Sequence, residues 1–323
     1  MLLTLPLILF IVMTELSIGA FAILFLLDWR NQVKRSFLVV YTFIYLFLTG
    51  LTYLFQQNYS TAALLNSFSQ LDKGWTGYLA LPLLLFLLLM VVYTVFLLAD
   101  KKAGVDGKVE GRTIISRRRW LRLVAGSLTA LAGLMTLFVL GMIYRPLASS
   151  SLAGVFIVSG FFAAALALGG VMTAMWLGHW YLVTPALSEK PLQFAATLVL
   201  LGVLAEAVFA FTGTINAPAQ SIVSATPTVT ITATATAAPG ATATPGAQVK
   251  PAGVPTITPL SVGAIGWLRI LVAFVMPLVL LVFILKLIHD RSFQSATGML
   301  YLVVVLTLAG EAMARGLFLM GLQ

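Results

Sequence analysis

The sequence predicts an all-α polytopic membrane protein of about eight transmembrane helices, possessing the marks of two parallel four-helix repeats. Three observations lead there. Of 323 residues, 60% are hydrophobic and only 9% are charged, where a soluble domain of this length carries charge on roughly a quarter of its positions. Apolar runs of about 20 residues, the length that crosses the hydrocarbon core, recur along the chain. The basic residues that make up the net charge of +9 sit in short loops between those runs, which is where membrane topology uses them. Nucleic acid is therefore not an expected partner; the lipid bilayer is.

Eight spans follow, at about residues 3–27, 36–55, 77–99, 121–143, 152–179, 192–213, 264–288 and 297–320. The first 20 residues are apolar but lack a basic leading region and a small-residue cleavage pattern. They read as the first span and not as a removed signal peptide. A mixed polar loop joins spans two and three. A strongly basic one joins spans three and four, with Lys101, Lys102, Lys108, Arg112, Arg117, Arg118, Arg119 and Arg122. The loops after spans one, three, five and seven carry most of the basic residues, so the positive-inside rule puts them in the cytoplasm and both termini outward, in a plasma membrane.

The segment 216–262 is different in kind. It contains the string SATPTVTITATATAAPGATATPGAQ, which lacks the bulky apolar groups that offset ordering entropy. It reads as a disordered, outward-facing linker. The organisation is then a first four-helix unit over 1–144, spans five and six within 145–215, the linker, and spans seven and eight within 263–323.

The halves resemble each other. Aligning Gly19 with Gly170 puts Asp28 on His179 and Trp29 on Trp180. Span three opens Gly77-Tyr78-Leu79 and span seven opens Gly266-Trp267-Leu268. Glycines within spans, among them Gly19, Gly50, Gly126, Gly133, Gly160, Gly169, Gly170 and Gly202, suit close helix packing and need no other role.

The candidate chemistry lies in charges inside the spans: Glu15, Glu206, Glu311, Arg315 and, near one end of span seven, Arg269. Each costs about 2.5–3.5 kcal/mol at a helix centre on insertion scales, so such residues face a bundle interior or a wet cavity. Glu311 and Arg315 are four residues apart on one helix face and can pair. Glu206 has no local partner. Spans six and eight share a local pattern, LAEAVFAF and AGEAMARG. The functional reading is a polar pocket or proton path; the plainer one is an ion-paired lock between helices.

The only two histidines, His179 and His289, fall at cytoplasmic ends of spans five and seven. Two imidazoles at similar depth have the make-up of an axial haem pair if both face one cavity. Interfacial anchoring beside Trp176, Trp180 and Tyr181 is the favoured alternative, so haem b is not the expected cofactor. The chain has no cysteine, which excludes its own disulfides, thiolate metal sites and Cys-ligated iron–sulfur clusters. No Walker loop, HExxH, GxSxG or dinucleotide fingerprint occurs, so no catalytic residue, covalent cofactor or metal site is expected, nor an enzyme acting alone.

The string LLDWRNQVKRSF at the end of span one, together with the glycine-rich first helix and the helix count, resembles the NrfD/PsrC-type membrane anchor subunits. Asp28, Arg30, Arg35 and Phe37 echo that family's Leu-Leu-Asp-Leu-Gly-Arg-Pro string and the Arg-Phe that follows it, without the Gly-Arg-Pro core. The resemblance implies a quinone-interacting subunit of an oxidoreductase complex. Such a subunit exchanges electrons and protons between membrane quinone and peripheral redox partners. Glu206, Glu311, Arg315 and Arg269 would then line the proton or quinone pocket, with Glu15 as relay. A small-solute transporter and a structural membrane subunit are the alternative expectations.

Overall fold

The computed structural model describes residues 4–101, 103–104, 108–109, 112–113, 117–183, 188–215 and 262–320. The Thr/Ala/Pro-rich linker, apart from its last residue, lies outside the described residues. Eight helices are long and apolar enough to cross a membrane. They are Thr4–Trp29, Arg35–Tyr59, Ala80–Ala99, Arg117–Tyr144, Ser151–Val183, Lys190–Ile215, a composite seventh, and Phe293–Met320. The seventh runs as Val262–Arg269, a π-helical stretch Ile270–Val275, and Met276–His289. Each covers its sequence-predicted span to within a few residues, because the length of an apolar run is a local property.

Packing divides the eight into two closed rings of four. In the first, span one packs on two, two on three, three on four and four on one. Spans five to eight repeat that order contact for contact. Between the rings, span one crosses span five, flanked by four on five and eight on one. The order of helix contacts is the same in both rings. Glycines stand at the crossing of spans one and five. A Cβ on Gly169 would lie 2.0 Å from the backbone nitrogen of Ala20, and one on Gly19 would overlap the backbone of Ala165. Gly202 likewise lets span six touch the backbone of span five at Ala167. Only a residue without a side chain permits backbones this close. Gly50 and Gly160, by contrast, face open space.

At the end carrying the basic loops, two turns use left-handed residues. Asn31 (φ 53°) and Arg291 (φ 57°) follow spans one and seven. In each turn the next residue reaches back five positions, Gln32 N–H to Leu27 O and Ser292 N–H to Leu287 O. These are Schellman caps, which satisfy carbonyls left over at a helix end. At the opposite end, the polar loop between spans two and three is built and packed. Asp72 accepts from Gly74 N–H at 3.0 Å, its own N–H donates to Ile143 O at the end of span four, and Leu65 and Leu71 are buried beneath it.

Candidate functional site

The five intramembrane charges named from the sequence come together, from four different spans. Arg315 on span eight bonds Glu15 on span one and stands 3.4 Å from Glu311 one turn back on its own helix. Arg269 on span seven lies 3.9 Å from Glu206 on span six. Glu206 lies within electrostatic reach of both Glu311 and Arg315, which joins the two halves into one cluster. The partner that Glu206 lacks locally is thus supplied from two other helices.

Exposure falls along the cluster. The side chain of Arg269 is 25% exposed and that of Glu206 10%, while Glu311 is 3% and Glu15 fully buried. The charges therefore run from a partly open edge at Arg269 to a closed interior at Glu15.

The chemistry follows from counting. Three carboxyl groups meet two guanidinium groups. One proton on a carboxyl makes the cluster neutral, two carboxylates against two cations, as a low-dielectric interior favours.

The walls are aromatic. The guanidinium of Arg315 stacks 4.3 Å from the ring centre of Phe161, and Arg269 lies 5.5 Å from that of Phe274. Tyr144 packs on Phe161 and Phe318 at 6.0 and 5.5 Å between ring centres. Its buried hydroxyl has no hydrogen-bond partner among the described residues.

Span seven is deformed beside the cluster. Its π-helical stretch begins directly after Arg269 and ends two residues before Pro277. Proline has no N–H, and its ring clashes with the carbonyl four residues back, at Ala273. The wider π-turn accommodates that break. Gly310, next to Glu311, receives the bulge: a Cβ there would lie 2.5 Å from that of Ala273. The distortion thus brings the Arg269 helix close to the Glu311 helix.

A second buried ionic cluster lies at the basic end of the first ring, and sequence reading missed it. Arg122, assigned there to the basic loop, is fully buried on span four. It bonds Asp28 and Asp100 at 3.0 Å each, and Tyr93 donates to Asp28 at 2.9 Å. Around it, Arg118 and Arg119 donate to the terminal carbonyls Ala99 O and Trp29 O, and Arg35 to Leu98 O and Asp100 O. The loop's arginines therefore tie the ends of spans one and three as well as setting topology. Available signals were Asp28 and Asp100, two acids each ending an apolar span opposite that arginine run.

His179 and His289 are not brought into the cluster. Both are exposed, on spans five and seven. The alignment of Asp28 with His179 pairs a buried ion-paired acid with an exposed imidazole, so the repeat preserves packing there and not chemistry. Among the described residues no group of three or more His, Cys, Asp or Glu is placed to hold a metal ion.

No family model matches the chain, and neither a curated protein nor a solved structure shows significant similarity to it.

Proposed function

We propose that this integral membrane protein is the proton-exchanging subunit of an electron-transfer complex. In this reading the Glu15–Glu206–Glu311–Arg269–Arg315 cluster takes up and releases the proton that accompanies quinone reduction or oxidation. The observation that carries the reading is the uneven charge set of one buried cluster, three carboxyls against two guanidiniums. A proton on one of those carboxyls, with guanidinium groups beside it, moves with small changes in local charge. A buried acid whose partners are replaceable in this way is the usual proton carrier inside membranes.

The graded exposure from Arg269 to Glu15 supports entry from one side. The aromatic wall of Phe161, Tyr144 and Phe318 offers flat apolar surfaces of the kind a quinone ring stacks on, with the orphaned Tyr144 hydroxyl as a hydrogen-bond donor. By the positive-inside rule the cluster lies in the outer half of the membrane. Peripheral redox subunits related to the NrfD/PsrC-type assemblies are the partners this reading expects.

The test is quinol-linked electron transfer in native membranes, with infrared difference spectroscopy of the purified protein. Glu206→Gln and Glu311→Gln should each lower the activity while the helix content stays unchanged, and each should remove a protonated-carboxyl band. Wild-type activity in both variants would sink the proposal.

One observation favours a second reading, a small-solute transporter. Transporters are often built from parallel repeats about an axis along the membrane normal, with their sites at the repeat interface. The Gly19–Gly169 crossing is such an interface, and Glu15 reaches across it. Gentle extraction separates the two. Co-purifying iron–sulfur or haem subunits favour electron transfer, whereas a colourless, self-associated protein favours transport.

A further inference from the structure

Buried charge in this protein is bonded to different degrees in its two clusters. At the basic end, the two Nη atoms of Arg122 stand 3.0 Å from Asp28 Oδ1 and from Asp100 Oδ2. Nothing fits between ions that close, and of the three side chains only Arg122 Nε is left over. The carboxylate cluster is looser. Six buried polar atoms in and beside it have no hydrogen-bond partner among the described residues: Glu15 Oε2, both carboxyl oxygens of Glu311, the Nε atoms of Arg269 and Arg315, and the Tyr144 hydroxyl. Arg269 and Glu206 stand 3.9 Å apart, beyond a direct hydrogen bond. Tyr144 lies within electrostatic reach of Arg315, and both pack on the ring of Phe161.

The six atoms are of both kinds. The carboxyl oxygens accept, the Nε–H groups donate, and the phenol does either. Each buried polar group left unbonded costs about 1–3 kcal/mol, and more if charged, so several at one place would use up a large share of a domain's net stability. A ligand that satisfies them must donate and accept at once. A metal ion would serve only the oxygens and be repelled by the guanidiniums; an anion would serve only the donors. Water does both, carries no charge, and is small enough to pass Arg269, whose side chain is 25% exposed.

We propose that the carboxylate cluster is a site for bound water, which bridges Glu15, Glu311 and Arg315 and extends to the Tyr144 hydroxyl. Glu15 and Glu311 both contact the same Nη atom of Arg315, so their free oxygens are close enough for one network. A buried water makes about three hydrogen bonds, and a few molecules therefore use all six atoms. Because water donates and accepts, it gives a proton on one carboxyl a way to the next. The inference concerns the site of the proposed function but does not need the redox role: the unbonded atoms are there whatever the cluster serves.

X-ray radiolysis of the detergent-purified full chain, read by mass spectrometry, tests it. Radiolysis turns water into hydroxyl radicals that oxidise the side chains beside it, and a scavenger in the buffer quenches those formed in bulk. Phe161 is fully buried, as are Tyr93 beside Arg122 and Phe86 in the apolar core of the first ring. With scavenger present, Phe161 should be oxidised severalfold faster than either. Glu311→Met with Arg315→Met removes three of the six atoms and should bring Phe161 down to the Tyr93 rate, with melting as the check on folding. If that variant does not fold, Tyr144→Phe, which keeps the ring and removes the hydroxyl, should lower the Phe161 rate. Oxidation of Phe161 no faster than of Tyr93, or a rate unchanged in the folded variants, would overturn the proposal. So would a Phe161 rate that the scavenger abolishes, which marks a cleft open to bulk solvent and not held water. Quinol-linked activity is read separately, so failure here is distinct from failure of the proposed function.

Discussion

The two buried ionic clusters are built from the same residue types and hold their charges in opposite ways. At the basic end, Arg122 sits between Asp28 and Asp100 at 3.0 Å from each, Tyr93 donates to Asp28, and the arginines around them donate to carbonyls at the helix ends. All of these groups belong to the first ring. At the other cluster Arg315 bonds Glu15 closely, but its contact with Glu311 and that of Arg269 with Glu206 are longer, at 3.4 and 3.9 Å. Four helices from both rings contribute, and three carboxyls meet two guanidiniums. The difference shows what makes a buried charge a lock and what makes it a site. Arg122 holds a fixed set of partners, and nothing can leave. In the proposed reading the second cluster, drawn from both rings with one carboxyl more than it has guanidiniums, takes up and releases a proton.

The largest effect expected from this contrast is on stability. Arg122→Met removes the cation that Asp28 and Asp100 share, and should destabilise the protein by about 3–5 kcal/mol, read as melting in detergent. Arg315→Met should cost less, about 1–3 kcal/mol, because the acids around it can take up protons from the more open Arg269 edge. Equal losses would remove the distinction between lock and site.

The seam between the rings comes next. Gly169→Val places side-chain atoms inside the backbone of span one, and the overpacking should cost at least about 1–3 kcal/mol. Gly160→Val meets open space and should leave melting unchanged. If both melt alike, the close crossing is not where the rings are held.

On function the order reverses. Glu206→Gln should alter melting little, since the amide keeps the shape of the carboxyl, yet lower proton-coupled turnover about a hundredfold, the usual size of a lost acid–base group. Glu311 and Arg315 replaced together by an apolar pair should recover the melting temperature but not the turnover.

The smallest expected effect lies at the surface. Glu189 joins Arg291 at 3.0 Å across the loop ends of spans five and seven. Its own backbone N–H and the Arg291 guanidinium hold its carboxyl below the usual range. A depressed carboxyl stabilises the fold at pH above its unfolded value and loses that contribution as pH falls through the folded one. Arg291 is 62% exposed and Glu189 33%, so solvent screening leaves the contribution small. Arg291→Gln should flatten only this slight acid dependence of melting, without shifting its neutral-pH value measurably.

Sequence by itself determined the eight spans and the five charges that the membrane makes expensive. All of these rest on local facts: how long a run stays apolar, which small residues recur, and where a charge falls in it. Arg122 shows the limit of that reasoning, because a basic residue at a span's edge looks the same whether it faces headgroups or turns inward onto two acids. Only the tertiary structure decided that it turns inward, that Glu15 meets Arg315 from 300 residues away, and that Glu206 and Glu311 join one cluster. Those outcomes depend on which helix faces another and at what depth. That is set by backbone contacts such as Gly19 on Gly169 and by the π-turn ahead of Pro277, whose fit appears only when the helices are packed together.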